Sequence, residues 1–427
     1  MAFDTSKNLR NQVMYSVFVR NYSEEGTFEG VRKDLKRIKD LGVDIIWLMP
    51  IHPLGEKARK GTLGSPYAIK NYREVNPEFG TIDDLKRLVD DIHALDMKCI
   101  IDVVYNHTSP DSWLSENHPE WFFHKPDGSF GNRVGDWTDI IDLDYANLDL
   151  WDYQIETLKM WAEIVDGFRC DVASLVPLEF WLKAREEVAK VRENCIWLSE
   201  SIEHGFIRYI RSQGMAALSD SEIFRAFDIA YEYDVAGEFI DALLKKRTLA
   251  DYARAINLQE TIYPDNYVKL RFLENHDRPR AHQLIADEKA LRAWTAFLYF
   301  QKGMTLIYNG QEVGEKHLPT LFDKDTICWD KKVDLTPLMQ TLYKIRKDSI
   351  FTDSEYTVNS PCEGVITAVH NSKDGKILGV FPVDSNNALV NVDIPDGTYL
   401  DLISGRDVEV HFGMMSIADE PMIFKAK

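Results

Sequence analysis

The sequence predicts an α/β protein: a (β/α)8 TIM barrel with a short insertion after strand 3 and a C-terminal antiparallel β-sandwich domain. Apolar strand-like runs alternate with helical segments along most of the chain, which favours parallel strands joined by right-handed crossovers. Four of these runs also end in polar clusters, namely CIIDVVYNH (99–107), DGFRCDVA (166–173), IWLSES (196–201) and VKLRFLENHD (268–277). Charges at the ends of buried strands are costly unless they share a pocket, and the C-terminal ends of barrel strands form one.

Eight strands can be placed in order along the chain. The first, at 13–19, is followed by one helical face with apolar residues at 31, 35, 38 and 41, which Gly42 ends. The run VDIIWLMP (43–50) is apolar throughout, as in a strand buried on both faces. Thr81 with Asp84 resembles a capping box for the next helix. The remaining strands are predicted at 99–105, 165–172, 195–200, 227–234, 268–274 and 304–310, with later helices at about 178–192 and 335–347.

Two segments fall outside this alternation. Residues 106–147 are rich in turns and aromatic residues, and a long irregular segment in a compact domain is usually functional, so we expect an insertion over the barrel mouth. Beyond residue 350, short β-rich runs alternate with Asp, Asn and Gly turns, which predicts antiparallel strands. The expected domains are therefore a barrel over 1–105 and 148–350, an insertion over 106–147, and a β-sandwich over 351–427.

Composition excludes some classes of function. The formal net charge of −19 argues against binding to nucleic acid or to an anionic membrane surface. The five cysteines form no CxxC motif and three lie in or beside predicted strands, which indicates buried free thiols in a reducing compartment. We see no signal-peptide pattern and no apolar run of about 20 residues, so a cytoplasmic protein is expected. A secreted chain trimmed of its signal would look the same.

Three carboxylates at the strand ends, Asp171, Glu200 and Asp277, suit cleavage of a glycosidic bond. One can act as nucleophile, one as a general acid with a raised pKa, and the third can stabilise an oxocarbenium-like transition state. Arg169 precedes Asp171 by two residues on the same strand face, and its charge should keep Asp171 ionised. A structural Arg–Asp pair and a solvated Glu200 are the alternatives for each residue alone. The recurrence of polar residues at successive strand ends favours an active site.

The four stretches resemble the conserved regions of the α-amylase family of glycoside hydrolases, glycoside hydrolase family 13. DVVYNH resembles the first region, GFRCDVA the second, the glutamate of WLSES the third and FLENHD the fourth. SPYAIKNY, HPEWFF and IYNGQE also resemble connecting segments of that family. The resemblance covers nearly the whole chain, including the C-terminal module.

The resemblance implies a role for each matching position. Asp171 would be the nucleophile, Glu200 the general acid/base and Asp277 the transition-state stabiliser. Configuration at the anomeric carbon would be retained, with the first two carboxyl groups about 5–5.5 Å apart. The implied substrate-binding residues are Tyr67, which stacks on the sugar, Asp102 and Asn106, which shape the site, His107 and His276, which bind sugar hydroxyls, and Arg169, which orients the nucleophile.

The chain departs from the starch α-amylase pattern after the catalytic residues. Ser174 and Leu175 stand where those enzymes tend to have Lys and His, and Ser201 stands where many have a bulky side chain. The leaving-group side should therefore be less polar. The insertion is short, and Asn106 alone cannot complete a site of several oxygen ligands, so no cofactor is required and a structural calcium ion is possible but not favoured.

The aromatic residues Trp113, Trp121, Phe122 and Phe123 of the insertion could be sugar platforms, but packing is the favoured interpretation for most of them. The predicted function is retaining hydrolysis of α-1,4-glucosidic bonds in starch-derived polysaccharides or malto-oligosaccharides. An α-1,6-acting or transglycosylating member of the family is the alternative. A non-catalytic carbohydrate-binding or transporter-partner module is remote, because all three carboxylates are present.

Overall fold

The centre of the molecule is an eight-stranded parallel barrel, seen in a computed structural model that describes residues 2, 4–134, 137–373, 375–384 and 387–426. Neighbouring strands pair in chain order, and the last pairs with the first to close the barrel, which confirms the predicted fold class. The strands are β1 (Val13–Val17), β2 (Ile45–Leu48), β3 (Lys98–Val103), β4 (Gly167–Cys170), β5 (Ile196–Ser199), β6 (Ile229–Tyr231), β7 (Val268–Arg271) and β8 (Met304–Tyr308).

Every predicted barrel strand is present, but each is shorter than its apolar run. The sixth was predicted at 227–234, yet only Ile229–Tyr231 forms the strand and Tyr233 already begins a helix. Pairing stops where the strand ends turn away to build the loops of the barrel mouth. The polar residues that follow β3, β4, β5 and β7 therefore lie on loops that all emerge from the same end of the barrel.

Helices surround the barrel. The α-helices are α1 (Val19–Tyr22), α2 (Phe28–Arg32), α3 (Leu35–Gly42), α4 (Ile82–Ala94), α5 (Trp113–Asn117), α6 (Leu148–Ala162), α7 (Leu178–Ala189), α8 (His204–Ser212), α9 (Asp220–Ile223), α10 (Tyr233–Leu243), α11 (Leu249–Ile262), α12 (Ala281–Leu284), α13 (Glu288–Phe300) and α14 (Thr336–Arg346). Short 3-10 helices occupy Lys7–Asn11, Pro119–Trp121, Ala173–Leu175, Gln311–Val313 and Ser349–Phe351.

The first predicted helix is divided into two. A break at Asp34 separates α2 from α3, because its carboxylate accepts hydrogen bonds from the Tyr22 hydroxyl at 2.5 Å and from Arg37 Nε at 2.7 Å. Gly42 ends α3 at a φ of 98°, which side chains rarely adopt, and a Cβ there would collide with Tyr343. The capping box of Thr81 and Asp84 at the start of α4 is confirmed.

The C-terminal strands form an antiparallel β-module, as predicted. A four-stranded sheet packs with two two-stranded sheets around one apolar core that includes Leu378, Val410 and Phe424. The strands are β9 (Glu355–Cys362), β10 (Val365–Ser372), β11 (Gly375–Pro382), β12 (Ala388–Asn391), β13 (Gly397–Leu400), β14 (Asp407–Val410), β15 (Met414–Ile417) and β16 (Met422–Ala426). The exact domain boundaries given above stay predictions.

The five cysteines are all free thiols. Cys99, Cys170 and Cys195 are buried in the barrel, Cys362 is half-buried, and Cys328 is exposed, so the prediction of burial is wrong for Cys328. Among the helices that the structure describes, none is long and apolar enough to span a bilayer.

Candidate active site

The Arg169 guanidinium is the centre of the polar cluster at the barrel mouth. Its Nη1 donates to Asp102 Oδ1 and to Asp171 Oδ1, each at 2.9 Å, and its Nη2 lies 3.0 Å from Glu200 Oε2. Asp102 pairs with Arg169 in the ladder between β3 and β4, which fixes these two side chains side by side. One fully buried cation therefore holds three carboxylates that come from three neighbouring strands.

Glu200 is held by a second donor, the backbone N–H of Val172 at 2.8 Å from Oε2. Val172 follows the predicted nucleophile and has φ 35° and ψ 43°, in the left-handed region that a β-branched residue rarely adopts. Such conformations cost of order 1–3 kcal/mol and occur where the surrounding structure imposes them, often at active sites. Here the turn aims an amide at the predicted general acid/base.

The charges of the cluster do not balance, and this affects the pKa of the carboxyl groups. Burial is the main cause that raises the pKa of Asp102 to about 6. Burial, together with repulsion from Glu200, also raises the pKa of Asp171 well above its usual range. The expectation that Arg169 keeps Asp171 ionised is therefore corrected: the contact exists, but desolvation and the neighbouring carboxylates outweigh it.

The opposite side of the mouth carries Tyr67, His276 and Asp277. The Tyr67 hydroxyl lies 2.6 Å from His276 Nε2 and 3.4 Å from Asp102 Oδ2, and the two rings are stacked with centroids 5.6 Å apart. His276 Nε2 also lies 3.0 Å from Asp277 Oδ2. Burial opposes ionisation of Asp277, but His276 outweighs it and lowers the pKa of this carboxyl. The Asp277 side chain is 42% exposed and can reach a ligand in the mouth.

His107 stands at the start of the insertion, with Nε2 3.9 Å from Asp171 Oδ2. Burial lowers the pKa of His107 to about 4, so the ring is neutral at pH 7. Asn106 Nδ2 lies 3.1 Å from His107 Nδ1 and donates to it, which leaves the ring proton on Nε2. The pair therefore presents a neutral N–H donor beside the predicted nucleophile.

All nine predicted site residues thus lie in one connected cluster, while their individual roles stay predictions. Sequence reasoning missed three further members. The Tyr231 hydroxyl, at the end of β6, accepts from Arg169 Nε at 3.3 Å, and the Trp47 ring lies 5.2 Å from the guanidinium carbon. Asn275 Oδ1 accepts from the Asp277 backbone N–H at 2.9 Å. Tyr231 ends an apolar run with a polar tip, the same signal that marks the other strand ends.

Two of the three departures from the family pattern are buried side chains. Ser201 is fully buried and its hydroxyl donates to the Tyr231 carbonyl at 3.1 Å, so it joins β5 to β6. Ser174 is also buried. Leu175 is half-buried and remains available to contact a ligand, and the expectation of a less polar leaving-group side stays a prediction.

In the insertion, packing explains most of the aromatic residues. Trp121 and Phe122 are buried, and the Arg133 guanidinium covers the Phe123 ring at 4.7 Å. Trp113 is 40% exposed and stacks on Tyr153 of α6, with ring centroids 5.8 Å apart. The favoured interpretation therefore agrees with the structure for all but the outer face of Trp113.

Arg133 also holds two aspartates of the insertion, Asp142 and Asp144. Its backbone N–H donates to Asp142 Oδ2 at 2.6 Å, and its guanidinium lies 3.5 Å from Asp144 Oδ1. Within the described part of the chain, no group of three or more His, Cys, Asp or Glu side chains could hold a metal ion.

A closed β/α barrel whose mouth gathers Asp102, Asp171 and Glu200 around one buried arginine is the architecture expected of a glycoside hydrolase. Comparison with known families agrees. The model of the alpha amylase catalytic domain matches residues 7–354, and that of the bacterial alpha amylase C-terminal domain matches residues 357–424. The chain therefore belongs to the alpha-amylase family of glycoside hydrolases.

Solved structures extend this likeness over the whole chain. The chain is 46% identical to an alpha-amylase from Lactobacillus plantarum, with a TM-score of 0.96 over 99% of this chain and 100% of that one. It is 35% identical to AmyB, a noncanonic maltogenic alpha-amylase from Thermotoga neapolitana, with a TM-score of 0.87 over 98% and 99% of the two chains. Among curated proteins, it is 27% identical to a probable oligo-1,6-glucosidase 3 of Bacillus subtilis over 75% of this chain and 68% of that protein.

Proposed function

We propose that the protein hydrolyses α-1,4-glucosidic bonds in malto-oligosaccharides and starch-derived polysaccharides with retention of configuration. The observation that carries this proposal is the single arginine that gathers Asp102, Asp171 and Glu200 opposite a stacked Tyr67–His276 pair. The two solved structures compared with this chain, from Lactobacillus plantarum and Thermotoga neapolitana, are both named as alpha-amylases, which supports the same substrate class.

The proposed reaction has two steps. Asp171 attacks the anomeric carbon through Oδ2, the oxygen that Arg169 does not bind, while Glu200 gives its proton to the leaving oxygen. Water then attacks the glycosyl ester, Glu200 takes the water proton, and the electron pair of the breaking bond returns to Asp171. Asp277, His107 and His276 bind hydroxyls of the sugar, and Tyr67 packs on its face.

The α-1,6-acting or transglycosylating alternative is supported by other relatives of the chain. These include the probable oligo-1,6-glucosidase 3 and, over 41–47% of this chain, several α-1,4-glucan:maltose-1-phosphate maltosyltransferases at 30–33% identity. Both alternatives share the same first step and differ only in the leaving group or the acceptor.

The proposal also covers the cellular location of the protein and its need for calcium. We propose a cytoplasmic location, supported by the free thiols and by the likeness to an intracellular maltogenic amylase of Bacillus subtilis, 26% identical over 341 residues. We also propose that no calcium ion is required, because Arg133 supplies the positive charge between Asp142 and Asp144. The net charge supports a neutral glucan partner over nucleic acid or an anionic membrane.

The experiment is product analysis with soluble starch, maltoheptaose, pullulan and cyclodextrin. We expect short maltodextrins from starch and maltoheptaose and little attack on pullulan. Asp171→Asn and Glu200→Gln should each lower kcat by roughly 10³-fold or more, because each removes a group that acts in the transition state. Leu258→Asn, on the exposed side of α11, is the control variant. Folded Asp171→Asn protein with near-normal turnover would refute the assignment, and panose from pullulan would favour the alternative.

A further inference from the structure

The side of the mouth that receives the leaving group follows from the position of the acid. Tyr67, His276 and Asp277 hold the sugar whose anomeric carbon reacts, and Glu200 must protonate the oxygen on its other side. Beyond Glu200 lie the loops that follow β4 and β5, because Val172 N–H binds Glu200 and Ile202 comes two residues after it. The leaving group, or an acceptor that takes its place, therefore contacts these two loops.

These loops, together with Val134 of the insertion, carry an apolar ledge, which we define as Val134, Val172, Leu175, Phe206 and Met215. All five are partly buried, and they pack on a small core of Ile202, Ile207, Ile210 and Ala217 that is separate from the barrel core. On α8 the ledge continues outward, because Phe206 stacks on Tyr209, which is 53% exposed. Among the described residues, the serines nearest in sequence, Ser174 and Ser201, are buried and add no polar group to this surface.

A groove of about 420 Å³ runs beside the ledge, and the ledge residues Val134, Leu175 and Met215 form part of its lining. Its polar lining residues are paired with one another: the Asn106 amide holds His107, and the Arg133 guanidinium lies between Asp142 and Asp144. The volume lies within the range of ordinary ligand pockets. Because the ledge residues are apolar and the polar groups of the groove are already paired, the groove suits an aromatic or alkyl group better than a second hydroxyl-rich sugar.

We propose that this ledge selects acceptors that carry an apolar aglycone, so that the enzyme transfers glucosyl units to aryl and alkyl glucosides in preference to simple sugars. The proposal rests on the proposed function, because it uses the same glycosyl–Asp171 ester. A sugar hydroxyl of the acceptor attacks the anomeric carbon and gives its proton to Glu200. The bond to Asp171 breaks, and its electron pair returns to the carboxylate, so that a new α-glucoside forms without any further reagent.

The experiment measures how the glycosyl–enzyme partitions between water and an acceptor. Maltotetraose serves as donor, with phenyl β-glucoside or methyl β-glucoside as acceptor. The two acceptors offer the same sugar hydroxyls, and neither has an α-linkage to cleave. The ratio of transfer product to hydrolysis product should be about tenfold higher with the phenyl acceptor, the lower end of what one apolar group adds in a pocket.

Two substitutions of similar size test the ledge itself. Leu175→Asn and Met215→Gln should each bring the phenyl-to-methyl ratio down to roughly threefold or less, because they remove apolar contact area while keeping the volume. Leu258→Asn, an equally conservative change on α11, should leave the ratio at its original value. Thermal unfolding of each variant confirms that it is folded before the ratio is measured.

The outcomes separate this inference from the proposed function. Equal ratios for the phenyl and methyl acceptors, in an enzyme that hydrolyses maltotetraose, overturn the apolar acceptor site and leave the hydrolase assignment intact. A phenyl preference that survives both ledge substitutions also overturns it, since the preference then arises elsewhere. An enzyme that does not cleave maltotetraose at all refutes the proposed function and this inference together.

Discussion

Single residues decide the protonation of the active site. Asp171 must be ionised to attack, yet burial and the charge of Glu200 both raise its pKa. Arg169 contributes only one positive charge to three carboxylates. The pH dependence of the enzyme therefore comes from a group of coupled carboxyls. As the pH is lowered, the free enzyme should lose activity earlier, at a higher pH, than an isolated aspartate would predict.

A prediction at this scale uses Glu200→Gln with an α-maltosyl fluoride substrate, whose leaving group needs no acid. The substitution removes a negative neighbour, so ionisation of Asp171 becomes easier and its pKa falls. The acid side of the kcat/KM profile should therefore move to lower pH in the variant than in the wild type with the same substrate. Rates measured from pH 3 to pH 7 check this, and a shift to higher pH would contradict the assigned repulsion.

At the scale of elements, buried ion pairs join the strand ends to the surrounding helices. Lys269 on β7 is fully buried, and its Nζ contacts Asp220 of α9, Asp234 of α10 at 3.0 Å and the Tyr231 carbonyl at 3.1 Å. Tyr231 in turn contacts Arg169. A cation at this position therefore supports both the packing of two helices and one side of the catalytic cluster.

We predict that Lys269→Met lowers the free energy of unfolding by about 3–5 kcal/mol, because it leaves two buried aspartates without a cation. Adding Asp220→Asn should restore part of that loss, since the double variant has one buried charge fewer. Urea unfolding of the single and double variants gives the coupling. Additive losses in the double variant would show that the three side chains do not act as a unit.

The insertion offers a second prediction at this scale. If Arg133 supplies the charge between Asp142 and Asp144, treatment with EDTA should leave the Tm of the wild type unchanged. Arg133→Ala should lower stability by about 1–3 kcal/mol, because the guanidinium's hydrogen bond to the Leu143 carbonyl and its ion pairs with Asp142 and Asp144 are lost. Arg87→Ala, which breaks an exposed pair with Asp84, should cost less than about 1 kcal/mol. A fall in Tm with EDTA that calcium reverses would refute the metal-free proposal.

At the scale of the whole molecule, the C-terminal module is tied to the barrel through aromatic packing around His370. Its ring lies 4.7 Å from Phe351 and 5.1 Å from Phe300, and Nε2 lies 2.8 Å from the Phe300 carbonyl. Burial lowers the pKa of His370 to about 3, so the folded protein keeps this ring neutral. The junction between the two modules therefore contains a histidine that only the unfolded chain protonates near pH 6.

The prediction concerns stability against pH. The pKa of His370 is about 3 when folded, against an ordinary value of 6.5. Its contribution is thus fully present above pH 6.5 and is lost progressively as the pH falls toward 3, because the unfolded state binds the extra proton. His52 and His107, whose pKa burial lowers to about 4, act in the same direction.

Denaturant unfolding at pH 7 and pH 4.5 measures this effect. His370→Gln should reduce the loss of unfolding free energy between the two pH values, even if it lowers stability at both. His317→Gln, at an exposed histidine, is the matched control and should keep the wild-type difference. A His370 variant with the full wild-type difference would show that the junction does not contribute to acid sensitivity.

The sequence by itself determined the barrel and its order of strands, because these follow from short-range patterns, and the family resemblance supplied the candidate site residues. Apolar runs with polar ends identify the strands, and residues two apart on a strand share a face, as Arg169 and Asp171 do. The nine site residues that these patterns and the resemblance predict lie in one cluster. The break at Asp34 escaped prediction, because it depends on hydrogen bonds from Tyr22 and Arg37 that no local pattern contains.

Only the tertiary structure decided what surrounds each of those residues. It buries Ser174 and Ser201, leaves Cys328 exposed, and brings Tyr231 and Trp47 to the arginine from strands distant in sequence. It also decides that burial and the charge of Glu200 outweigh the effect of Arg169 on the pKa of Asp171. A pKa depends on desolvation and on every charge within a few ångströms, and these are properties of the packed barrel rather than of the neighbouring residues along the chain.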